Sequence, residues 1–324
     1  MSCGVEREDE QLVSLVGMTS FLANGLALLA VLACVTSVAQ PSATKPATTT
    51  KIVMLGTGTP NPDPDRQGPA VAITAGETPY LVDCGTGIVR RAAAAARNGI
   101  PTLDPGKLGI VFVTHLHSDH TLGYPDLILT PWMMGRERPL EAYGPSGLSQ
   151  MTQDILRAWQ QDIDIRTNGR EHENRTGYHV NVHEIHPGLV YQDGNVKVTA
   201  FLVSHGSWKQ AFGYRFDTHD RSIVISGDTT PTEAVVKACH GCDVLIHEVY
   251  SEAAFEHRSA AWQQYHSHFH TSSKELGRIA SEAKPGLLIL YHQLLWGSTE
   301  EQLLQEIHGG YSGKVVSAHD LDVY

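Results

Sequence analysis

The sequence predicts an α/β fold in which two β/α halves place their sheets face to face and carry their helices outside, giving four layers. Two observations predict it: apolar, β-branched runs alternate with helical stretches, and a group of strands followed by helix–strand alternation occurs twice. The chain has 324 residues, of which 41% are hydrophobic and 18% are charged. This composition supplies a large buried core and excludes intrinsic disorder.

The N-terminal residues are predicted to lie outside this fold. No charged residue occurs between Gln11 and Ala39, and a Ser/Thr/Pro/Ala tract follows. This pattern is typical of an export signal cleaved after Ala39; a retained membrane anchor or a lipoprotein signal in residues 1–39 is the alternative interpretation. We therefore expect residues 40–50 to be a linker, residues 51–324 to be the folded domain, and the protein to be periplasmic or secreted.

The first half opens with strands and continues with helix–strand alternation. Apolar runs predict strands at Lys51–Leu55, Val71–Thr74, Tyr80–Cys84 and Leu108–Thr114. An alanine-rich helix, Ile88–Asn98, lies before the last of these. Residues 160–179 are polar and show no hydrophobic period, which predicts a long connection or flap.

The second half repeats the pattern. Four consecutive strands are predicted at Val180–Ile185, Val196–Ser204, Ala211–Asp217 and Ser222–Ser226. Helices are then predicted at Pro231–Ala238, Ala253–Gln263, Ser272–Ala283 and Thr299–His308. They alternate with strands at Val244–His247, Leu287–Tyr291 and Lys314–Ser317. Two sheets with external helices follow from this order.

Charge and cysteine content narrow the classes of function. Lys and Arg total 24 against 35 Asp and Glu, a net charge of −11, which argues against a protein whose main task is binding nucleic acid. The folded domain holds three cysteines, so no disulfide framework is predicted. Cys239 and Cys242 have the spacing of a redox motif, but we interpret them as a structural or adventitious pair.

The strongest chemical signal is Thr114-His115-Leu116-His117-Ser118-Asp119-His120, directly after the apolar strand that ends at Thr114. Because alternate residues share a face, His115 and His117 can point at one cation, while Asp119 and His120 turn toward a neighbouring one. A solvated polar loop is the alternative interpretation. Four potential ligands within six residues favour a site for two metal ions.

Three single residues extend this set: His205, Asp228 and His292. Each follows an apolar run predicted as a strand, so the sheet would bring all three to the same edge. Taken alone, a histidine at a strand end is an ordinary hydrogen-bonded edge residue, and Asp228 is a turn residue. Combined with the histidine cluster, the three positions complete the ligand shell of a metal site.

The sequence resembles the metallo-β-lactamase superfamily, and within it the branch of ribonuclease Z and arylsulfatase-like hydrolases, over about residues 51–324. The resemblance rests on the order of eight elements: Leu55–Pro60, the His115–His120 loop, Ser204–Gly206, Phe212–Phe216, Ser226–Thr229, Leu245–Glu248, His270–Ser272 and Tyr291-His292. It implies the four-layer αββα sandwich of that superfamily.

The resemblance also implies roles for single residues. One metal would be held by His115, His117 and His205, the other by Asp119, His120 and His292, with Asp228 bridging. Zinc is the usual metal of such sites, and the ligand types also permit manganese or iron. Asp119 would orient the attacking hydroxide. His270 would be the general acid, positioned by Glu248.

These implications predict a hydrolase of small anionic esters, either phosphodiesters or aryl sulfates. A lactonase or β-lactamase and a catalytically silent, membrane-associated metal-binding domain are the alternatives. Only 22 residues separate His205 from Asp228, which leaves no room for the transfer-RNA-binding arm of ribonuclease Z. We therefore do not expect transfer RNA as the substrate, and we leave a homodimer open.

Overall fold

A computed structural model describes residues 50–324. The predicted export segment, residues 1–39, lies outside the described residues. A first, six-stranded sheet contains, in spatial order, β1 (Lys51–Gly56), β2 (Ala70–Ala75), β3 (Thr78–Val82), β4 (Ile110–Phe112), β5 (Leu140–Gly144) and β6 (Val180–Glu184). The pairs among β1, β2 and β3 are antiparallel, whereas those from β3 to β6 are parallel.

The second sheet has seven strands, again in chain order across the sheet: β7 (Gly188–Gln192), β8 (Val196–Leu202), β9 (Phe212–Thr218), β10 (Ser222–Ile225), β11 (Val244–Tyr250), β12 (Leu287–Leu294) and β13 (Val315–Ser317). Strands β7 to β10 pair antiparallel, and β10 to β13 pair parallel. Strands β8, β10 and β12 therefore run in the same direction, and their carboxyl ends meet at one edge.

The described α-helices are α1 (Ile88–Arg97), α2 (Ser118–Thr121), α3 (Tyr124–Met133), α4 (Leu148–Ala158), α5 (Gln160–Asn168), α6 (Glu233–Cys239), α7 (Glu252–Glu256), α8 (Ala260–Phe269), α9 (Ser273–Ala283) and α10 (Glu300–His308). Short 3₁₀ turns occupy Pro101–Leu103 and Pro105–Lys107. Within residues 50–324, none of the helices has the length and apolar character needed to cross a bilayer.

Three separate apolar clusters show that the elements form four layers. In β1, Ile52 and Met54 belong to the cluster between the two sheets, whereas Val53 and Leu55 belong to the cluster under the helices of the first sheet. In the second sheet, Val224 contributes to a third cluster under α6, α9 and α10. Alternate residues of a strand face opposite sides, so strands that are buried on both faces read as continuous apolar runs. The predicted fold class is confirmed.

Three predicted elements differ from the structure, and one strand was not predicted. The run Val180–Ile185, predicted as the first strand of the second half, is β6, which pairs in parallel with β5 and completes the first sheet instead. Residues 160–179, predicted as a connection, begin with helix α5, whose buried stripe is only Ile163 and Thr167 among charged neighbours. The single predicted helix Ala253–Gln263 is two helices, because the chain becomes extended at Ser259 before α8 starts. Strand β7 was missed because it is a half-exposed edge strand with little apolar periodicity.

The interpretation of Cys239 and Cys242 as a structural pair agrees with the structure, in which a disulfide joins them. Both side chains are buried in the cluster between the second sheet and its helices. The bridge closes the turn after α6, where His240 and Gly241 both have positive φ. It packs inside the domain, well hidden from solvent thiols.

Candidate metal centre

The seven residues predicted as metal ligands meet at the shared edge of the two sheets. The structure delivers them from the loop after β4, from the ends of β8 and β10, and from β12: His115, His117, Asp119, His120, His205, Asp228 and His292. Five of the seven are buried, and His117 and Asp119 are partly exposed. Their role as ligands remains a prediction that rests on the geometry below.

The first cluster brings three imidazoles together. His115 Nε2 lies 3.0 Å from His117 Nδ1, and His205 Nε2 lies 3.1 Å from the same His117 atom. The Asp228 Oδ2 atom lies 4.0 Å from His115 Nε2 and 3.9 Å from His205 Nε2. Four donor atoms therefore surround one point, as tetrahedral coordination requires.

The second cluster is built around Asp119 and shares Asp228 with the first. Asp119 Oδ2 lies 3.2 Å from His292 Nε2 and 3.5 Å from His120 Nε2. Asp228 Oδ2 lies 3.4 Å from His120 Nε2 and 3.5 Å from His292 Nε2. One carboxylate oxygen thus faces both clusters, which is the geometry that a bridging ligand needs.

His292 reaches the site through a bulge rather than from the end of its strand. Strand β12 continues to Leu294, and Glu248 of β11 pairs with Tyr291 while Val249 pairs with Gln293, so His292 has no partner across the sheet. Its φ is +45°, in the left-handed region that non-glycine residues rarely adopt. The bulge re-aims this side chain at the site.

Hydrogen bonds on the far ring nitrogens orient the histidines. His205 Nδ1 lies 2.7 Å from the carbonyl oxygen of Phe269, and His115 Nδ1 lies 3.0 Å from the Thr114 hydroxyl. His120 Nδ1 lies 2.8 Å from Asp83 Oδ2. A proton held on Nδ1 leaves the Nε2 lone pair free to face a cation, which is how outer hydrogen bonds usually position metal-binding histidines.

Asp83 is the functional residue that the sequence reasoning missed. It is buried, has φ +60°, and also accepts hydrogen bonds from the Thr114 backbone N–H at 2.7 Å and from the Thr114 hydroxyl. The same signal that identified Asp228 was present, since Asp83 follows the apolar strand β3. Its neighbourhood contains no histidine in the sequence, so only the fold reveals its partner, His120.

The site fits divalent cations. His120 Nε2 is buried and has no hydrogen-bond partner, although it faces the Oδ2 atoms of Asp119 and Asp228. Asp228 Oδ1 is also buried without a hydrogen-bond partner. Burial opposes a charge on His120, yet Asp228, Asp83 and Asp119 outweigh it and raise the pKa of His120 well above its ordinary value. Converging carboxylates thus favour positive charge at this point, and imidazole with carboxylate is a donor set that suits zinc.

His270 and Glu248 form a pair beside the two clusters. His270 Nδ1 lies 3.3 Å from Glu248 Oε2 and 3.9 Å from Asp228 Oδ2. The other Glu248 oxygen accepts a hydrogen bond of 2.8 Å from the Thr271 N–H. Helix α8 runs to Phe269, and His270 is the first extended residue after it.

Burial shifts the pKa of each member of this pair toward its neutral form. Burial lowers the pKa of His270 to about 4, although the nearby Asp228 carboxylate favours its charged form. Burial also raises the pKa of Glu248 well above its ordinary value, and the Asp228 carboxylate adds to that rise. Both shifts favour the neutral forms and disfavour an ion pair between these two side chains.

Several known proteins are similar to this chain in sequence or in fold. A β-lactamase superfamily domain matches residues 78–293. Ribonuclease Z of Mycobacterium bovis (strain BCG / Pasteur 1173P2) is 30% identical over 276 residues, covering 84% of this chain and 96% of that protein. The metallo-β-lactamase fold protein YhfI from Bacillus subtilis superposes with a TM-score of 0.67 at 20% identity, covering 86% of this chain and 100% of that one. Human tRNase Z, short form, superposes with a TM-score of 0.62 at 25% identity, covering 85% and 98%.

These relatives correct one expectation. The alignment with the mycobacterial ribonuclease Z leaves no long segment of that enzyme unmatched, so the short connection between His205 and Asp228 does not set this chain apart from it. The expectation that transfer RNA is excluded thereby loses its structural basis. The motifs, the four layers and the matched domain agree: the chain belongs to the β-lactamase superfamily and has the metallo-β-lactamase fold, with ribonuclease Z proteins among its relatives.

Proposed function

We propose that the chain is an exported phosphodiesterase that works with two divalent cations, zinc being the first choice and manganese or iron the alternatives. The observation that carries the proposal is the position of Asp228, whose Oδ2 lies within 4.0 Å of donor atoms of both clusters. A site for one metal needs three or four ligands, and this one offers seven.

The chain's own residues then have distinct tasks. His115, His117 and His205 would hold one cation, Asp119, His120 and His292 the other, with Asp228 between them. When bound, the two cations would polarise the ester and make a water molecule acidic enough to attack at neutral pH. Of the two carboxylates in the site, Asp228 is buried and Asp119 is partly exposed, so Asp119 can also orient the attacking water.

His270 and Glu248 would supply the proton that the leaving oxygen needs. His270 Nδ1 faces Glu248, so Nε2 is the nitrogen free to donate to the substrate. As Nε2 gives up its proton, Nδ1 can take the proton held by Glu248. This relay needs no charged histidine in the resting enzyme, which agrees with the lowered pKa of His270.

A transfer-RNA precursor is the second candidate substrate, because the curated relatives are ribonucleases Z. Aryl sulfates share the tetrahedral anionic centre of a phosphodiester. Lactones are the substrates of the alternative activity considered from the sequence. These substrates belong in the same assay, where each defines a different enzyme. A protein that binds metal without turning over any of them would be the silent domain considered from the sequence.

The test combines metal analysis with a substrate panel. The purified chain is loaded with Zn²⁺ or Mn²⁺, its metal content is measured, and turnover is followed with bis(4-nitrophenyl) phosphate, 4-nitrophenyl sulfate, a chromogenic lactone and a transfer-RNA precursor. We expect two metals per chain and turnover of the phosphodiester. At most one metal at saturation, or turnover of the sulfate or lactone alone, would contradict the proposal.

A matched pair of variants separates the site from general effects. Asp228→Asn should lose at least one metal and most of the activity, whereas Asp154→Asn, which changes an exposed carboxylate on α4, should keep both.

Export is tested independently: fractionation of producing cells should find the mature chain, starting near residue 40, outside the cytoplasm.

A further inference from the structure

A groove of about 740 Å³ lies beside the first metal cluster, between α8 and the loop that carries His205. Its lining includes Gly206, Ser207, Thr230, Tyr265 and Phe269. Among the described residues, no Asp, Glu, Lys or Arg side chain lines this groove; hydroxyl, amide and aromatic groups do, with one histidine. The volume is in the range of small-ligand sites, and the lining suits an uncharged group.

The groove begins next to the predicted metal ligands. Gly206 is the residue after His205, and the Phe269 carbonyl accepts the hydrogen bond from His205 Nδ1. The Phe269 ring lies 5.1 Å from the His205 ring and 6.4 Å from that of His117, measured between centroids. An ester held at the cations can therefore place one of its substituents in the groove without leaving the site.

The aromatic wall of the groove is rigid and partly uncovered. Tyr265 and Phe269 stack with centroids 4.4 Å apart and an angle of 17° between their planes. Gly206 has φ +54°, and a Cβ there would lie 2.0 Å from the Phe269 ring, so only glycine allows this close contact. Tyr265 nevertheless remains 39% exposed, and its neighbour Trp262 is 50% exposed. Phe269 is thus held in place, and the exposed Tyr265 ring stacked on it offers a surface on which another ring can stack.

We infer that this groove binds an uncharged, planar aromatic group of the substrate ester, either a nucleobase or an aryl ring. The inference rests on the proposed phosphodiesterase function and names the substituent that the enzyme selects. A phosphate would need a cation in the groove, and none lines it, whereas a flat ring needs a stacking face with hydroxyl and amide groups at its edge. The occupant is therefore the ring next to the scissile phosphate.

Binding of two small phosphonates measures the ring contribution without turnover. Methylphosphonate and phenylphosphonate present the same anionic head to the metal-loaded enzyme and differ only in the group offered to the groove. Calorimetric titration should give a Kd about tenfold lower for phenylphosphonate. Tyr265→Ala should reduce this ratio to nearly one, and Tyr265→Phe, which keeps the ring, should preserve it. Equal affinities in the wild-type enzyme, or a ratio that Tyr265→Ala leaves unchanged, would overturn the inference.

Turnover identifies the kind of ring and separates this inference from the proposed function. The substrates are the methyl, phenyl and thymidine 5′-esters of 4-nitrophenyl phosphate, which share one leaving group. Higher kcat/KM for both ring esters than for the methyl ester supports the groove, and a further preference for thymidine identifies a nucleobase. Turnover of all three at one rate overturns the groove alone, while turnover of none overturns the proposed function and the groove with it. Trp159→Ala removes an exposed aromatic side chain on another surface and controls for general effects.

Discussion

Replacing Glu248 by glutamine tests how the site delivers a proton. In the structure the carboxyl group is fully buried, one oxygen accepts from the Thr271 N–H at 2.8 Å, and the other faces His270 Nδ1 at 3.3 Å. A glutamine amide has the same shape, keeps the acceptor toward Thr271, and can donate to His270. It has no proton to give up. The variant should therefore fold and bind metal normally while losing the relay.

The size of the effect follows from the two pKa shifts. With a pKa of about 4, His270 is protonated in about one molecule in a thousand at pH 7. Without Glu248 as a proton source, esters with an alkyl leaving group should therefore slow by up to about 10³-fold, which lies within the ~10²–10⁴-fold contribution of general acid catalysis. A nitrophenolate needs little protonation, so its release should slow less than about tenfold.

The pH dependence of turnover should differ between the wild-type enzyme and Glu248→Gln. In the wild-type enzyme the raised pKa of Glu248 keeps its proton available to higher pH than an ordinary glutamate would, so turnover of alkyl esters should fall only above that raised pKa. In Glu248→Gln the only acid is His270, and turnover should fall about tenfold per pH unit above about pH 4. Stability changes in the same direction. A raised carboxyl pKa stabilises the fold below the ordinary pKa of Glu, and this contribution is lost as pH rises toward the raised pKa. Glutamine does not ionise, so the stability of Glu248→Gln should lack this loss.

The assay compares kcat/KM for methyl and 4-nitrophenyl leaving groups between pH 5 and 9, together with metal content and thermal unfolding. Glu282→Gln, an exposed glutamate on α9, is the matched control. An equal loss for both leaving groups would assign Glu248 to substrate positioning. Loss of metal or a large drop in Tm would assign it to the structure, and wild-type activity would refute the relay.

Other residues allow shorter tests. Asp83→Ala should weaken metal affinity about 10- to 100-fold, because His120 loses the partner that orients its ring, and chelator competition measures this loss; unchanged affinity would make Asp83 a purely structural residue. His270→Ala should keep two metals but mainly lose activity toward alkyl esters, so a fall in metal content would instead make it a ligand. Arg136→Met should destabilise the fold by about 3 kcal/mol in urea titrations. The buried guanidinium donates to four backbone carbonyls that would be left unpaired, those of Leu108, Leu127, Ile128 and Gly177. A loss of only about 0.5 kcal/mol, typical of a surface substitution, would contradict this. Prolonged chelation should abolish turnover, and only re-addition of a divalent cation should restore it.

The sequence by itself determined the features whose cause is local. Apolar runs of β length predicted nearly every described strand, and the histidine-rich loop after β4 predicted the metal centre, because ligand spacing within one loop is a local property. Strand-end positions also identified His205 and Asp228, since parallel strands deliver their carboxyl ends to a common edge. The export segment remains a prediction from composition.

Only the tertiary structure decided the features that depend on partners distant in the chain. The bulge at His292 arises from how β12 pairs with β11, and Asp83 acquires its role from His120, 37 residues away. The pKa shifts of Glu248 and His270 depend on burial, which is not visible in any local stretch of the sequence. The groove beside His205 exists because Phe269 packs against Gly206, 63 residues earlier. Each of these results from long-range packing, whose free energy is distributed over the whole core and leaves no periodic trace in the sequence.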